Sequence, residues 1–318
     1  MTASPLHRRA REGHWISWLG APTQFLALGE ETGNTYCLSR AVSAADGRTP
    51  PHRHDFEEGF YLTRGSLTFV AGDRTETLHA GDFVNVGALV AHAVRNESGA
   101  DAEALILCAP AGFDRFQRDG GYPMEHADAP VVPISDEVRD RLVTAAAKHD
   151  IDLDPPAAAF QLAPRAHVVR RDEGDTVDVV GDRYRFLATG EETEGGYALW
   201  EATLSPGGGP PPHTHTREEE AFCILEGTIT FFTDDGSFEA TAGEFVHLPR
   251  GQRHWFRNET DRPARTLIHV APAGLEQLFF EIGTRVEDRT APIAAPSNEE
   301  IRRLGELADQ FGIELGGP

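Results

Sequence analysis

Cysteine is scarce in this chain, with three residues in 318. Cys37, Cys108 and Cys223 are an odd number with no close spacing along the sequence, which argues against a disulfide framework and against a CxxC metal site. Basic residues are also few: 29 Lys and Arg against 51 Asp and Glu give a formal net charge of −22. Such a chain repels nucleic acid and anionic membranes unless a basic patch intervenes, and no such patch is visible. No apolar run approaches the roughly 20 residues needed to span a bilayer. The N-terminal MTASPLHRRAREGHW is polar and lacks the apolar centre of a secretory signal. These absences predict a soluble, cytoplasmic protein with no nucleic-acid or membrane partner.

What the chain does have is a histidine and glutamate pattern that occurs twice. His52, His54, Glu58 and His92 are answered by His213, His215, Glu220 and His254, at offsets of 161 or 162 residues. The repeat extends beyond these residues: FLALGEET at 25–32 matches FLATGEET at 186–193, GSLTF from Gly65 matches GTITF from Gly227, and APAGF from Ala109 matches APAGL from Ala271. One residue has entered between the second histidine and the glutamate of the later copy, an insertion that a loop absorbs at little cost. A chain of this length fits two domains, each able to bury its own core. We therefore expect domains at 1–156 and 157–318, with DPPAAAFQLAP at 154–164 as the connection.

Short segments rich in Val, Phe, Thr and Leu recur about every ten residues between Gly, Pro and Asp, which predicts antiparallel strands and turns. Repeated strands without intervening helices favour a barrel or sandwich. Each half ends in a helical signal. Ser297 with Glu300 forms a capping box ahead of Ile301, Leu304, Ala308 and Phe311, and Ser135 precedes Asp136, Glu137, Val138, Leu142 and Ala145.

In a strand, residues two apart face the same side, so His52 with His54, and His213 with His215, present paired imidazoles to one cavity. The prolines just before them stiffen the chain as it enters the site. Three neutral imidazoles and a carboxylate leave a divalent cation one or two open positions, which suits Lewis-acid or oxygen chemistry rather than a closed structural site. Mn, Fe, Co, Ni and Cu are all compatible with such donors, and one metal per half is expected. Phe56, Phe60 and Val94 in the first half, and Phe222, Trp255 and Phe256 in the second, are the expected pocket walls. His79, His126, His149 and His167 lack paired spacing and are read as surface or structural. His247, between Phe245 and Pro249, is read as a packing residue, with a hydrogen bond to a ligand as the alternative, and His269 sits in the strand-like TLIHVAP, where a polar group facing the interior needs a partner.

These segments are identified as the two signature motifs of the cupin superfamily. The first reads HxH, three or four residues, Glu, six residues, Gly, and runs through His52, His54, Glu58 and Gly65 and again through His213, His215, Glu220 and Gly227. The second is complete from Gly243 through Pro249, Gly251 and His254 to Asn258. In the first half Gly87 and Leu89 stand at the Pro and Gly positions, so a turn of different shape or flexibility ahead of His92 is expected there. The resemblance implies an all-β protein of two tandem cupin barrels (double-stranded β-helix, jelly-roll), each half carrying short C-terminal helices.

EEEAFCILEGTITFFTDDG and APAGLEQLFFEIG, with the helix that follows, are similar in order and spacing to the bicupin quercetin 2,3-dioxygenases. That resemblance implies a flavonol bound to the metal through its 3-hydroxyl group, with Glu58 or Glu220 accepting the proton. Reaction of the enolate with dioxygen, 2,3-cleavage and loss of carbon monoxide would follow. Bicupins also carry out oxalate-type decarboxylation, which needs a cationic clamp. Arg53, Arg217 and Arg253 lie beside the motifs but at the opposite strand parity from the ligands. A non-catalytic metal- or ligand-binding sensor of the pirin type is the third reading. Exposed barrel edges make a homodimer a further expectation.

Overall fold

A computed structural model describes residues 4–72, 74–156 and 166–316. The described chain forms two compact units, Arg11–Glu173 and Gly174–Pro318, the second also taking Met1–Ala10. This division differs from 1–156 and 157–318 for a reason of strand pairing. Ala166–Val169 adds to Phe83–Val86 at the edge of the first unit's large sheet. Leu6–Arg8 adds to Phe245–Leu248 at the edge of the second's. Each added strand covers backbone groups that would otherwise be an open edge. Most of the expected connection at 154–164 lies outside the described residues.

Each unit is built from one eight-stranded and one five-stranded antiparallel sheet in the same order, as two tandem jelly-roll barrels require. In the first unit the central strands of the large sheet are Cys37–Ser43, Ala102–Ala109, Glu57–Arg64 and Phe83–Val86. In the second they are Ala198–Leu204, Ala264–Ala271, Glu219–Glu226 and Phe245–Leu248. Side chains of one parity point inward and fill each barrel: Phe60, Leu62, Phe69, Val84 and Val86 in the first, and Trp200, Phe222, Phe231, Phe256 and Ile268 in the second.

The last residue of the second motif has a structural task in both units. Asn96 Nδ2 donates to the Ser43, Ala44 and Ala100 carbonyls, and Asn258 Nδ2 donates to those of Leu204 and Arg262. Each buried amide thereby ties the end of a ligand strand to two neighbouring loops.

Helices follow the barrel strands. Ser135 caps Asp136–Lys148 by accepting from the Val138 N–H, and Val138, Leu142 and Ala145 are buried as expected. Ser297 and Glu300 form the reciprocal capping box of Asn298–Leu307. That helix stops earlier than its apolar spacing suggests: Ala308–Phe311 tightens into a 3-10 turn, and Ile301 is 51% exposed. Two more helices, Phe113–Gly120 and Glu276–Ile282, follow the APAG segments. After the terminal helix of each unit the chain returns as a short strand against the first ligand strand, Asp152–Leu153 on His52–Arg53 and Ile313–Leu315 on His213–His215. Among the described residues, no helix is long and apolar enough to cross a membrane.

Candidate functional site

In each unit the repeated residues converge. The ligand atoms available on His52, His54, Glu58 and His92 all lie within 4.8 Å of one another, and the same holds for His213, His215, Glu220 and His254; all eight residues are buried. The pairing of the strands explains the convergence. His92 is the direct cross-strand partner of His52, and His254 that of His213. Glu58 and Glu220 enter from the adjoining sheet, opposite Val86 and Leu248.

The contacts within each cluster fit a metal. Glu58 Oε2 lies 3.0 Å from His54 Nε2 and 2.9 Å from His92 Nε2. Glu220 Oε2 lies 3.0 Å from His254 Nε2, and the His213 and His215 Nε2 atoms face one another at 3.2 Å. Donors bonded to one cation at about 2.1 Å are separated by about 3.0–3.4 Å, the spacing these atoms already have. Two imidazole nitrogens directed at each other make sense when both carry lone pairs for a shared cation.

The protonation tendencies agree. Burial, reinforced by the imidazole of His92 for His52 and of His254 for His213, pushes the pKa of both down to about 3, leaving neutral rings able to ligate. Burial opposes ionisation of Glu58 and Glu220, yet hydrogen bonds and charge from the facing histidines hold both carboxyls well below their ordinary range. His215 behaves differently. Burial again disfavours its charge, but Glu220 and Glu218 outweigh it and raise its pKa to about 9.

The turn that delivers the last histidine has the same shape in both units, contrary to the expectation from Gly87 and Leu89. The Gly251 N–H donates to the His215 carbonyl at 2.8 Å and the Gln252 N–H to that of Pro249 at 3.2 Å. In the first unit the Leu89 N–H reaches the His54 carbonyl at 2.6 Å and the Val90 N–H that of Gly87 at 3.2 Å. Leu89 adopts φ +64°, the left-handed conformation that Gly251 takes at +82°. The turn is kept, and a leucine bears its strain.

The second centre opens onto a cavity of about 80 Å³. His213, His215 and Glu220 form one wall, and Tyr184, Trp200, Phe256, Ile268, Phe279 and Ile313 are among the others. No Arg or Lys belongs to its described lining. Phe256 is part of that lining. Phe222 packs against Phe231 and Phe256 in the barrel core and is not part of that lining.

Trp255 requires correction. Its strand alternates, so it faces away from His254 and Phe256, stacking on Phe232 beneath the Arg253 guanidinium. In the first unit Phe60 and Val94 line a separate apolar cavity with Trp18, Leu67 and Ile106. Phe56 stacks face to face on His54 with ring centroids 3.8 Å apart.

Several neighbours of the centres escape a reading of the motif strands alone. Tyr184, Trp200 and Phe279 come from strands and a helix whose proximity depends on barrel closure. Cys37 and Cys108, far apart in sequence, are cross-strand partners, and Cys108 is also the partner of Glu58. At the equivalent places beside Glu220 stand Ala198 and Val270. His269 is next to Val270 and so occupies the opposite face from the cluster, with its ring 5.6 Å from Tyr197. His247 Nε2 lies 3.4 Å from Glu219, not from a candidate ligand.

A twofold barrel architecture with a three-histidine, one-glutamate cluster in each barrel defines a bicupin. Residues 41–108 and 200–270 match the family described as the Cupin domain, so the chain carries a cupin domain at two positions. It is 26% identical to a quercetin 2,3-dioxygenase of Bacillus subtilis over 289 residues, covering 87% of this chain and 85% of the relative. A quercetin 2,3-dioxygenase of Aspergillus japonicus is 26% identical over 144 residues, 43% of this chain and 41% of that protein. Among solved structures, the Lactobacillus farciminis oxalate decarboxylase formate complex superposes with a TM-score of 0.59 at 14% identity, covering 88% of this chain and 91% of that one. At that identity the likeness shows the fold.

Proposed function

We propose that the protein is a metal-dependent dioxygenase that cleaves a flavonol, or a related enolisable aromatic compound, with O2. The observation that carries this reading is the second centre's combination of an incompletely closed donor set with an apolar, aromatic-walled cavity whose described lining includes no Arg or Lys. The similarity to quercetin 2,3-dioxygenases over most of the chain supports the same substrate class. A small dianion such as oxalate lacks a clamp there. Arg53 is bonded to Asp152, Arg253 is bonded to Asp234, and Arg217 is exposed.

His213, His215, His254 and Glu220 would hold a divalent metal, which when bound would supply Lewis-acid stabilisation of a deprotonated substrate hydroxyl. Glu220 is the base: a carboxylate held ionised at the cavity wall accepts the hydroxyl proton. Trp200 lines the same cavity, and its buried Nε1–H has no acceptor within the described protein, so it supplies a donor for a substrate oxygen. Tyr184, Phe256 and Phe279 exclude water from the activated substrate. About 80 Å³ admits O2 or a small molecule, whereas drug-sized ligands occupy about 300 Å³ or more. Entry of a three-ring substrate therefore needs outward movement of Leu304, Ile313 and Leu315, which belong to the terminal helix and strand.

The test is oxygen uptake with loss of flavonol absorbance, on metal-free protein reconstituted separately with Mn, Fe, Co, Ni or Cu and offered quercetin. Turnover with release of carbon monoxide in at least one preparation is expected. Stoichiometric metal binding without quercetin turnover in any preparation overturns the flavonol reading, and carbon dioxide release from oxalate by the same preparations would replace it with decarboxylation.

A further inference from the structure

One of the six candidate ligand histidines is oriented differently from the rest. The Nδ1 atoms of His52, His54, His92, His213 and His254 lie 2.8–3.0 Å from the carbonyl oxygens of Pro50, Phe56, Val90, Pro211 and Gln252, each two residues away. A carbonyl only accepts, so these five rings carry the proton on Nδ1 and turn the Nε2 lone pair to the centre. His215 Nδ1 instead faces Glu218 Oε2 at 3.5 Å. Both atoms are buried, and beyond this approach neither has a hydrogen-bond partner among the described residues. Glu218 itself is only 2% exposed. A carboxylate buried in this way without a role costs stability.

The one-residue insertion of the second half creates this arrangement. Aligned on the glutamate ligands, Glu218 occupies the place of Phe56, whose backbone carbonyl accepts from His54 and whose ring covers it. The first centre thus has one carboxylate beside its imidazoles, and the second has two.

We infer that Glu218 is a positioning residue that holds His215 by its Nδ1–H and makes the second centre the tighter metal site. The inference rests on the reading of both clusters as metal centres, and it concerns affinity rather than substrate. With a divalent cation in place, Glu220 and Glu218 balance its charge, whereas Glu58 alone leaves the first centre one unit positive. A carboxylate accepting from a ligating imidazole also strengthens that imidazole as a donor, and loss of such a partner typically weakens metal binding about 10–100-fold.

The experiment titrates metal-free full-length protein with Co²⁺ against a competing chelator and follows the Co²⁺ d–d absorption. Two classes of site are expected, and Glu58→Gln, which alters a first-centre ligand, should weaken only the looser class. Glu218→Leu should weaken the tighter class by about 10–100-fold and shift its absorption, leaving the looser class within twofold. Glu218→Gln keeps the volume and an accepting oxygen but removes the charge. It should give an intermediate loss, and it carries the test if the leucine variant does not fold. Unchanged affinity and spectrum of the tighter class in the folded variants overturns the inference, as does a loss confined to the looser class. Failure of the unaltered protein to bind Co²⁺ at all would instead remove the metal-centre reading on which it stands.

Discussion

The two centres share their ligands and differ in several of the side chains beside them. Both use the same strand pairings, the same carbonyl anchors for most imidazoles and the same turn ahead of the last histidine. Around that common skeleton Phe56 is exchanged for Glu218, Cys37 and Cys108 for Ala198 and Val270, and Leu89 for Gly251. Barrel geometry is needed to bring four donors together, so it has been kept twice. Charge and access beside the donors decide what a centre does, and these have separated. The comparison teaches that two metal sites in one chain need not be two copies of one active site.

The strongest way to break this comparison is to remove each ligand carboxylate in turn. Among the described residues, the cavity bordered by Glu220 also contains aromatic walls, while the cavity bordered by Phe60 and Val94 includes no candidate ligand. Glu220→Gln should therefore lower kcat with quercetin by about 10²–10⁴-fold, the range of a lost general base. Glu58→Gln should leave most turnover in place. Steady-state oxygen uptake, with metal content measured on the same samples, decides the matter. Equal losses would mean that the two centres act alike, and full turnover by the double variant would end the role of either glutamate as base.

A smaller effect separates the two halves in acid. His269 is buried, and burial together with the neighbouring His247 lowers its pKa to about 3; Leu107 holds the equivalent place in the first unit. Above pH 6.5 the imidazole is neutral folded or unfolded and the linkage contributes nothing. As pH falls from about 6.5 towards 3, the unfolded chain takes up a proton that the folded chain refuses, so stability is lost across that window. His269→Leu should remove this loss, worth roughly 3 kcal/mol by pH 4. Urea unfolding of both proteins at pH 7 and pH 4 reads the difference as a change in slope with pH. Parallel loss in the two proteins would mean that His269 is not the titrating group.

Much of this architecture was legible in the sequence because repeated ligands must meet. His52 and His92 are 40 residues apart, but a metal cluster gives both a reason to be present, and the second copy gives the pattern a check. The capping residues Ser135 and Ser297 were equally readable, since a cap acts within one turn of its helix. Properties that depend on register or on closure were not. Trp255 follows His254 directly, and its orientation follows from strand alternation; Trp200 and Phe279 become neighbours of Glu220 only when the barrel closes. Cys37 and Cys108 are 71 residues apart and adjacent across two strands. The strands Leu6–Arg8 and Ala166–Val169 lie outside the repeated ligand segments, so the repeat carries no information about the sheet each one joins.

The turn before the last histidine offers the finest comparison. A left-handed backbone costs an L-residue about 1–2 kcal/mol, while glycine gives back about 0.5–1 kcal/mol through its greater freedom in the unfolded chain. Leu89 is 55% exposed, so little burial is lost when its side chain is removed. Leu89→Gly should accordingly stabilise the first unit by about 0.5–1 kcal/mol, and Gly251→Leu should destabilise the second by a similar amount, both read from urea midpoints at constant m-value. The Leu89 N–H that reaches the His54 carbonyl is a backbone group and survives the substitution. Metal affinity of the first centre should therefore stay within twofold as stability rises. A fall in that affinity would show that the exposed leucine, and not only the turn beneath it, helps to hold His54 in place.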